Sequence, residues 1–451
     1  MRRPARLMRI VFTSILLTTT SAYGSDHVPL DAKSSDPNVM GWMQGFPPSD
    51  EKLITQPDSN YFSFPKLRWS VCHLREFLPT REISRGLGNA LPLNYLSESD
   101  LDDMAQKINS LSFTPLNSDQ SMTWEESLFA NYTDGILVIH EGRVVYERYF
   151  GCLDEYGQHA AMSMTKSVTG LLAEILVANG ELDDLMRVKE VVPEIAGSAF
   201  ANATVRQVMD MTTGVAFSED YADPNAAIWT YSRAASPLPK AKEYKGPNGY
   251  WEYLQTVQPE GKHGEYFHYK TINSDMLGWI ISKVAKRSVT ELTSELLWQP
   301  MGAEQSAYQT VDGKGVAFAG GGISAGLRDL GRLGLLVLNE GAINAKQVFP
   351  SQVVQSIKKG GDRAKFTNAF PTLPGASYKS QWWVFHNEHN AFAARGVHGQ
   401  TIYIDPTANM VLVRFASHPK AKNGYIDPTS LPAYHALAKL LIANKGDSDT
   451  L

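Results

Sequence analysis

Cysteine is nearly absent. The 451 residues hold two, Cys72 and Cys152, too few for a cysteine-rich zinc site or a disulfide scaffold. Two buried free thiols are the plainer reading, and pairing is open to them in an oxidising compartment. An excess of positive charge is lacking too. Lys and Arg number 42 against 47 Asp and Glu, a formal net charge of -5, so the basic footprint of a nucleic-acid binder is missing. No repeat of fixed period runs through the chain. Beyond the N-terminus no stretch is long and apolar enough to span a bilayer. With 43% hydrophobic and 20% charged residues, the composition is globular, not low-complexity or disordered. A chain of this length forms two or three domains, or one large domain with an insertion, and buries its core without staples.

What is present begins with Arg2, Arg3, Arg6 and Arg9, followed by an apolar stretch from Ile10 to Leu17 and small residues around Ala22-Tyr23-Gly24. This is the pattern of a secretory signal over 1–24, cleaved after Gly24. The stretch is too short and too rich in threonine for a spanning helix. Cleavage takes the formal charge from -5 to -9. A periplasmic or secreted protein without stable membrane insertion is expected.

Residues 25–60, rich in Ser, Asp and Pro, read as an extended arm, and the arm as a whole covers 25–115. It includes one helix from Glu98 to Leu111, capped by Ser97 or Asp100. From 116 to about 445 the pattern is that of one organised domain. Gly135 to His140 and Val144 to Phe150 form a hairpin around Glu141-Gly142. A long apolar helix starts near Ser163 and stops at Asn179-Gly180. Thr204 caps a helix that ends at Gly214, residues 217–265 read as loop, and helices follow over Asn273–Ala285, Val289–Leu297 and Ala325–Leu338. Gln381–Phe385, Thr401–Ile404 and Met410–Phe415 read as strands, and Leu431–Ala443 as a closing helix. The order predicts an α/β (α+β) fold in which an antiparallel sheet draws strands from both ends of the chain. Helices cover the sheet, and a mostly helical region is inserted at about 185–265.

Ser163-Met-Thr-Lys166 is an S-x-x-K. The spacing alone is weak, since it also starts at Ser49, Ser63, Ser356 and Ser417. Only the copy at Ser163 opens a long apolar helix directly after a hairpin. There residues i and i+3 share a face, so an amine can reach the hydroxyl and act as its base. The helix N-terminus also offers unpaired N–H groups to a developing oxyanion. Taken by itself the pattern fits equally a serine cap and a solvated lysine. Tyr269 stands where a loop enters the helix at Asn273, and a phenol beside an ammonium can shuttle a proton. In isolation it is as readily an aromatic staple on the helix start. Arg395-Gly396-Val-His398-Gly399-Gln400 places glycines at a strand edge, where a ligand can approach the backbone, or where the chain merely turns.

In this order the three elements resemble the serine β-lactamase, DD-peptidase and esterase superfamily on its class C side. More closely they resemble the 6-aminohexanoate-dimer hydrolases, over roughly 45 to 445. The resemblance implies a β-lactamase/transpeptidase-like antiparallel sheet flanked by helices. It assigns Ser163 as nucleophile, Lys166 and Tyr269 as the proton relay, and the backbone N–H groups of Ser163 and Val397 as oxyanion donors. Tyr221, in Asp220-Tyr-Ala-Asp-Pro224, matches a substrate-touching tyrosine. Ser232 stands where those hydrolases carry an acid that grips the substrate amine, and His398 and Trp382 are expected to line the cleft. The K-T-G of penicillin-recognising enzymes is absent, with Arg395-Gly396-Val397 in its place, which points away from β-lactams. The expected activity is cleavage of small carboxylic esters or linear amides through an acyl-enzyme. β-Lactamase or DD-peptidase activity, and a penicillin-binding sensor without turnover, are the alternatives. No cofactor, metal or nucleic-acid partner is implied, and a homodimer is left open.

Overall fold

A computed structural model describes residues 28–55, 60–220 and 223–448, with side chains described to 444. The signal segment expected over 1–24 lies outside the described residues.

The run Ile136-Leu137-Val138-Ile139 shows no alternation of polar and apolar residues. Successive side chains of a strand point to opposite faces, so such a run needs cover on both sides. The structure supplies it. In chain order the strands that matter are β1 (Thr80–Ile83), β2 (Asn94–Tyr95), β3 (Thr133–His140), β4 (Arg143–Tyr149), β5 (His159–Ala160), β6 (Ala307–Thr310), β7 (Ile323–Ala325), β8 (Ser377–Lys379), β9 (Trp382–Val384), β10 (Phe392–Gly396), β11 (Gln400–Asp405) and β12 (Met410–Ala416). Among the helices, those that shape the core and the cleft are α1 (Glu98–Asn109), α2 (Met164–Ala178), α3 (Val205–Met209), α4 (Ala227–Ala235), α5 (Tyr250–Gln255), α6 (Ile272–Ala285), α7 (Leu327–Leu338) and α8 (Asp427–Ser448).

The main sheet runs β8-β9-β10-β11-β12-β3-β4-β2. Its pairs are antiparallel except β2 against β4. Strands from the two ends of the chain meet at β12 and β3, where Val413 faces Leu137 and Val411 faces Ile139. Leu137 and Ile139 pack in one core with Leu171 and Leu172 of α2 and Leu330 and Leu333 of α7. Ile136 and Val138 pack in a second core with Ile108 of α1 and Leu437 and Leu441 of α8. A smaller sheet, β1-β6-β7-β5, lies beside the start of α2. No helix of the described residues is long and apolar enough to cross a membrane.

Of these strands, β1, β2, β5, β6, β7, β8 and β10 escape the sequence reading. β10 is Phe-Ala-Ala-Arg-Gly, poor in β-branched residues, and its strand state follows from burial between β9 and β11. β8 is only three residues long. The region 217–265 likewise holds α4 and α5, despite its Pro and Gly content. Their apolar faces dock Ile228, Tyr231, Ala234 and Leu254 into the main core.

The N-terminal segment is tied in chemically. Cys72 and Cys152 form a disulfide across 80 residues of sequence, which corrects the expectation of free thiols. Four residues before Cys72, the buried Arg68 donates to Asp134 Oδ1 at 3.0 Å and to Ser417 Oγ at 3.1 Å. The other oxygen of Asp134 lies 3.3 Å from His159 Nε2. A charge desolvated to this degree is tolerated only when paired and hydrogen-bonded, so this cluster fixes the segment's position against β3 and β5.

Candidate active site

Helix α2 is buried from Met164 to Leu176, including its polar residues. That accounts for its apolar composition on every face. Ser163 sits at its N-terminal boundary with φ -68° and ψ -2°, already helical. One turn on, Lys166 is 1% exposed. Its Nζ donates to Ser163 Oγ at 3.0 Å and to the Gly320 carbonyl at 2.5 Å. The same Nζ lies 5.2 Å from the centre of the Tyr269 ring. Residues from two separate motifs, the S-x-x-K and the Tyr269 loop, thus converge on one amine.

Desolvation lowers the pKa of Lys166 from the ordinary lysine range, while the charges of Glu219 and Asp275 oppose that shift. The carboxyls of Glu219 and Asp275 are themselves pushed up by burial and pulled back by Lys166. Glu219 accepts the Thr271 N–H, and Asp275 Oδ2 accepts the Tyr231 hydroxyl at 2.5 Å. Burial and the two acids act on the amine in opposite directions, burial favouring its neutral form. Such an amine is the base a serine hydroxyl requires.

Tyr269 is positioned by an aromatic cluster, with ring centres 6.0 Å from Tyr378 and 5.6 Å from Trp383. Asn273, four residues further on, does not enter the site. Its Oδ1 accepts the Thr213 hydroxyl at 2.6 Å and its Nδ2 donates to the Lys270 carbonyl at 3.1 Å. It ties the Met211-Thr-Thr-Gly214 turn to the loop that carries Tyr269.

The strand edge closes the site from the other side. A Cβ on Gly396 would lie 3.0 Å from the backbone N of Ser163 and 2.9 Å from the Ala161 carbonyl. Only glycine lets β10 approach the nucleophile this closely. The next residue, Val397, lines the same cleft as Ser163. Ser163 and Val397 thus border one cleft from two different elements.

The cleft has a volume of about 420 Å³. Ser232 lines it, as expected, beside Ile228, Ala235 and Pro237. Two expected cleft residues are placed elsewhere. Trp382 is 1% exposed, and its Nε1 donates to the Ser167 carbonyl at 3.0 Å in the core. Strand alternation turns its neighbour Trp383, not Trp382, toward Tyr269. His398 has φ +64° and is buried behind Val397, its Nδ1 2.7 Å from the His418 carbonyl. Burial pushes its pKa down to about 4, so the ring is neutral at ordinary pH and holds the turn. Tyr221 lies outside the described residues. Arg395 does not line the cleft. It pairs with Asp427 and covers the ring of Trp383, 5.2 Å from its centre.

Other cleft residues carried no signal in the sequence. Tyr61, Phe62 and Leu78 come from the N-terminal segment, and Tyr231, Tyr250 and Phe318 from around α4, α5 and β6. Among the described residues that line the cleft, Lys166 is the sole charged one. Glu219 stands directly before the flagged Asp220–Pro224 stretch, and that proximity was the available hint.

Comparison with known proteins fits this geometry. A family profile described as Beta-lactamase matches residues 126–431. A 6-aminohexanoate-dimer hydrolase of Paenarthrobacter ureafaciens is 33% identical over 360 residues, 79% of this chain and 86% of that protein. A Bacillus anthracis structure described as a 6-aminohexanoate-dimer hydrolase superposes with a TM-score of 0.76 at 30% identity, over 85% of this chain and 96% of the other. A class C beta-lactamase solved with cefoxitin shares the fold, with a TM-score of 0.52 at 16% identity, over 76% of this chain and all of the other.

Proposed function

This chain belongs to the beta-lactamase family and is a serine hydrolase, and from that premise we propose that it cleaves small carboxylic esters and linear amides through an acyl-enzyme on Ser163. The observation that carries the reading is the 3.0 Å contact between the buried Lys166 amine and Ser163 Oγ. Neutral Lys166 takes the hydroxyl proton as Oγ attacks the carbonyl carbon. The resulting oxyanion accepts the N–H groups of Ser163 and Val397. The carbonyl re-forms, the bond to the leaving oxygen or nitrogen breaks, and the proton returns to that atom through Lys166 and Tyr269. Water then repeats the sequence on the acyl-serine and releases the acid.

The walls of the cleft support neutral substrates with apolar flanks. A β-lactam brings a carboxylate that requires a cation. Arg395 is already held by Asp427, and a missing charge partner costs about 2–5 kcal/mol. The acid that would grip a substrate ammonium is replaced by Ser232. Steady-state kcat/KM on p-nitrophenyl butyrate, a linear amide and nitrocefin tests this. The ester should be turned over fastest and nitrocefin slowest. Faster nitrocefin turnover would make the enzyme a β-lactamase, and acylation without release would make it a sensor.

Export is part of the same reading. The Arg-rich apolar N-terminus and the Cys72–Cys152 bond both support an oxidising compartment. The exported protein should begin at Ser25 by mass spectrometry of a periplasmic or secreted fraction. Retention of residues 1–24 would count against it.

A further inference from the structure

At the opposite end of β10 from the nucleophile, the β9–β10 turn brings Glu388 and His389 against His435 of α8. His389 is 6% exposed. Its Nδ1 lies 2.8 Å from Oδ2 of Asp405, which is fully buried and whose Oδ1 accepts the Ala408 N–H at 2.9 Å. The carboxylate is an acceptor on both oxygens, so Nδ1 carries a proton, and in the neutral ring Nε2 is the lone-pair atom. Nε2 lies 4.0 Å from Glu388 Oε1, beyond hydrogen-bonding distance. His435 Nε2 reaches the same Glu388 oxygen at 3.0 Å. A ring nitrogen and a carboxylate oxygen separated by such a gap leave room for a cation that both can ligate. An imidazole oriented by a buried carboxylate on its other nitrogen is the usual outer support of a metal-binding histidine.

We propose that His389 Nε2, His435 Nε2 and Glu388 Oε1 form a site for a divalent cation of the zinc class, clamping α8 to the β9–β10 turn. The donor set of two imidazoles and one carboxylate suits zinc, with a fourth position left for water. Tetrahedral ligands at zinc distances stand about 3.3 Å apart. The three donor atoms already lie within 4.8 Å of one another. The side chains of Glu388 and His435 are 63% and 32% exposed and can close the remaining distance. Lys439, whose Nζ is 3.4 Å from Glu388 Oε1, is the resident competitor.

The test uses untagged full-length protein, stripped with EDTA and titrated with Zn²⁺ by calorimetry and thermal melting. Wild type should take up one Zn²⁺ per chain and melt at a higher temperature, with no response to Mg²⁺. His435→Gln and Glu388→Gln should each weaken Zn²⁺ binding at least tenfold, and Asp405→Asn 10–100-fold. Lys439→Gln should bind Zn²⁺ more tightly than wild type. Ser163→Ala should bind it equally, and ester hydrolysis should be unchanged in His435→Gln. No uptake by wild type, or equal uptake by wild type and His435→Gln, overturns the site.

Discussion

Lys166 is hydrogen-bonded to Ser163 across 3.0 Å, from a position that leaves its amine 1% exposed. The hydroxyl and the amine lie one turn apart at the start of a helix buried from Met164 to Leu176. Ser163→Ala should therefore lower kcat by several orders of magnitude without loss of fold. A fluorophosphonate should label wild type on Ser163, located by mass spectrometry, and leave the alanine variant unlabelled. Equal labelling of both would rule Ser163 out.

The rate should depend on pH through Lys166. A lysine accepts a proton only when neutral, and burial lowers its pKa. The neutral fraction, and with it kcat/KM, should climb as pH rises and reach half its maximum below 10.5, the ordinary value for lysine. Lys166→Arg keeps a charge that cannot be removed in this range. It should cost about 10²–10⁴ in rate and abolish the ascending limb. An unchanged profile in that variant would place the base elsewhere.

Gly396→Ala puts a methyl 3.0 Å from the Ser163 nitrogen. The strand edge must retreat, separating the Ser163 and Val397 N–H groups proposed as oxyanion donors. Displacement of about 1 Å at a reacting group costs on the order of 100-fold. The loss should appear in kcat while thermal unfolding remains a single transition. Full activity would mean that Val397 is not a donor.

Arg68→Ala removes the guanidinium partner of the buried Asp134 carboxylate and leaves it the His159 contact alone among those described. An uncompensated buried charge typically costs about 3–5 kcal/mol. Urea unfolding should show a midpoint shifted to lower denaturant. Cys72→Ser with Cys152→Ser should cost about 2–5 kcal/mol by the same measurement. A shift under about 0.5 kcal/mol in either case would show the N-terminal segment to be loosely attached.

Ser232→Asp would set a carboxylate on a wall that now carries none. Relative kcat/KM should move toward substrates with a terminal ammonium and away from neutral esters. No change in that ratio would show that Ser232 lines the cleft without touching substrate.

The legible parts of the molecule were those with local causes. The apolar helix after a hairpin, the S-x-x-K at its start and the glycines at 396 and 399 each carry their pattern within a few residues. Ser97 capping α1, through its bond to the Asp100 N–H, is of the same kind. What stayed hidden depends on distant contacts. The strand β10 is made by its neighbours, since its own alanines do not favour one. Trp382 and Trp383 point to opposite faces because a strand alternates its side chains, and spacing alone does not say which of them packs against Tyr269. His398 resembles a ligand-facing residue in sequence, but its left-handed backbone turns the ring into the protein. Glu219 and Asp275 act on Lys166 from two other segments, and neither spacing announces it.

The cleft draws its walls from residues 61–78, 228–237, 310–321 and 397, around a nucleophile at 163. Contacts this far apart in sequence form late, after local helices and hairpins. A partly folded chain can hold α2 with Ser163 and Lys166 in place and still lack the pocket that steers a reagent to them. Labelling by an acylating probe during refolding is thus a clock for the last assembly step. It should lag behind the recovery of helical circular dichroism, and the lag should lengthen when Cys72 and Cys152 are kept reduced.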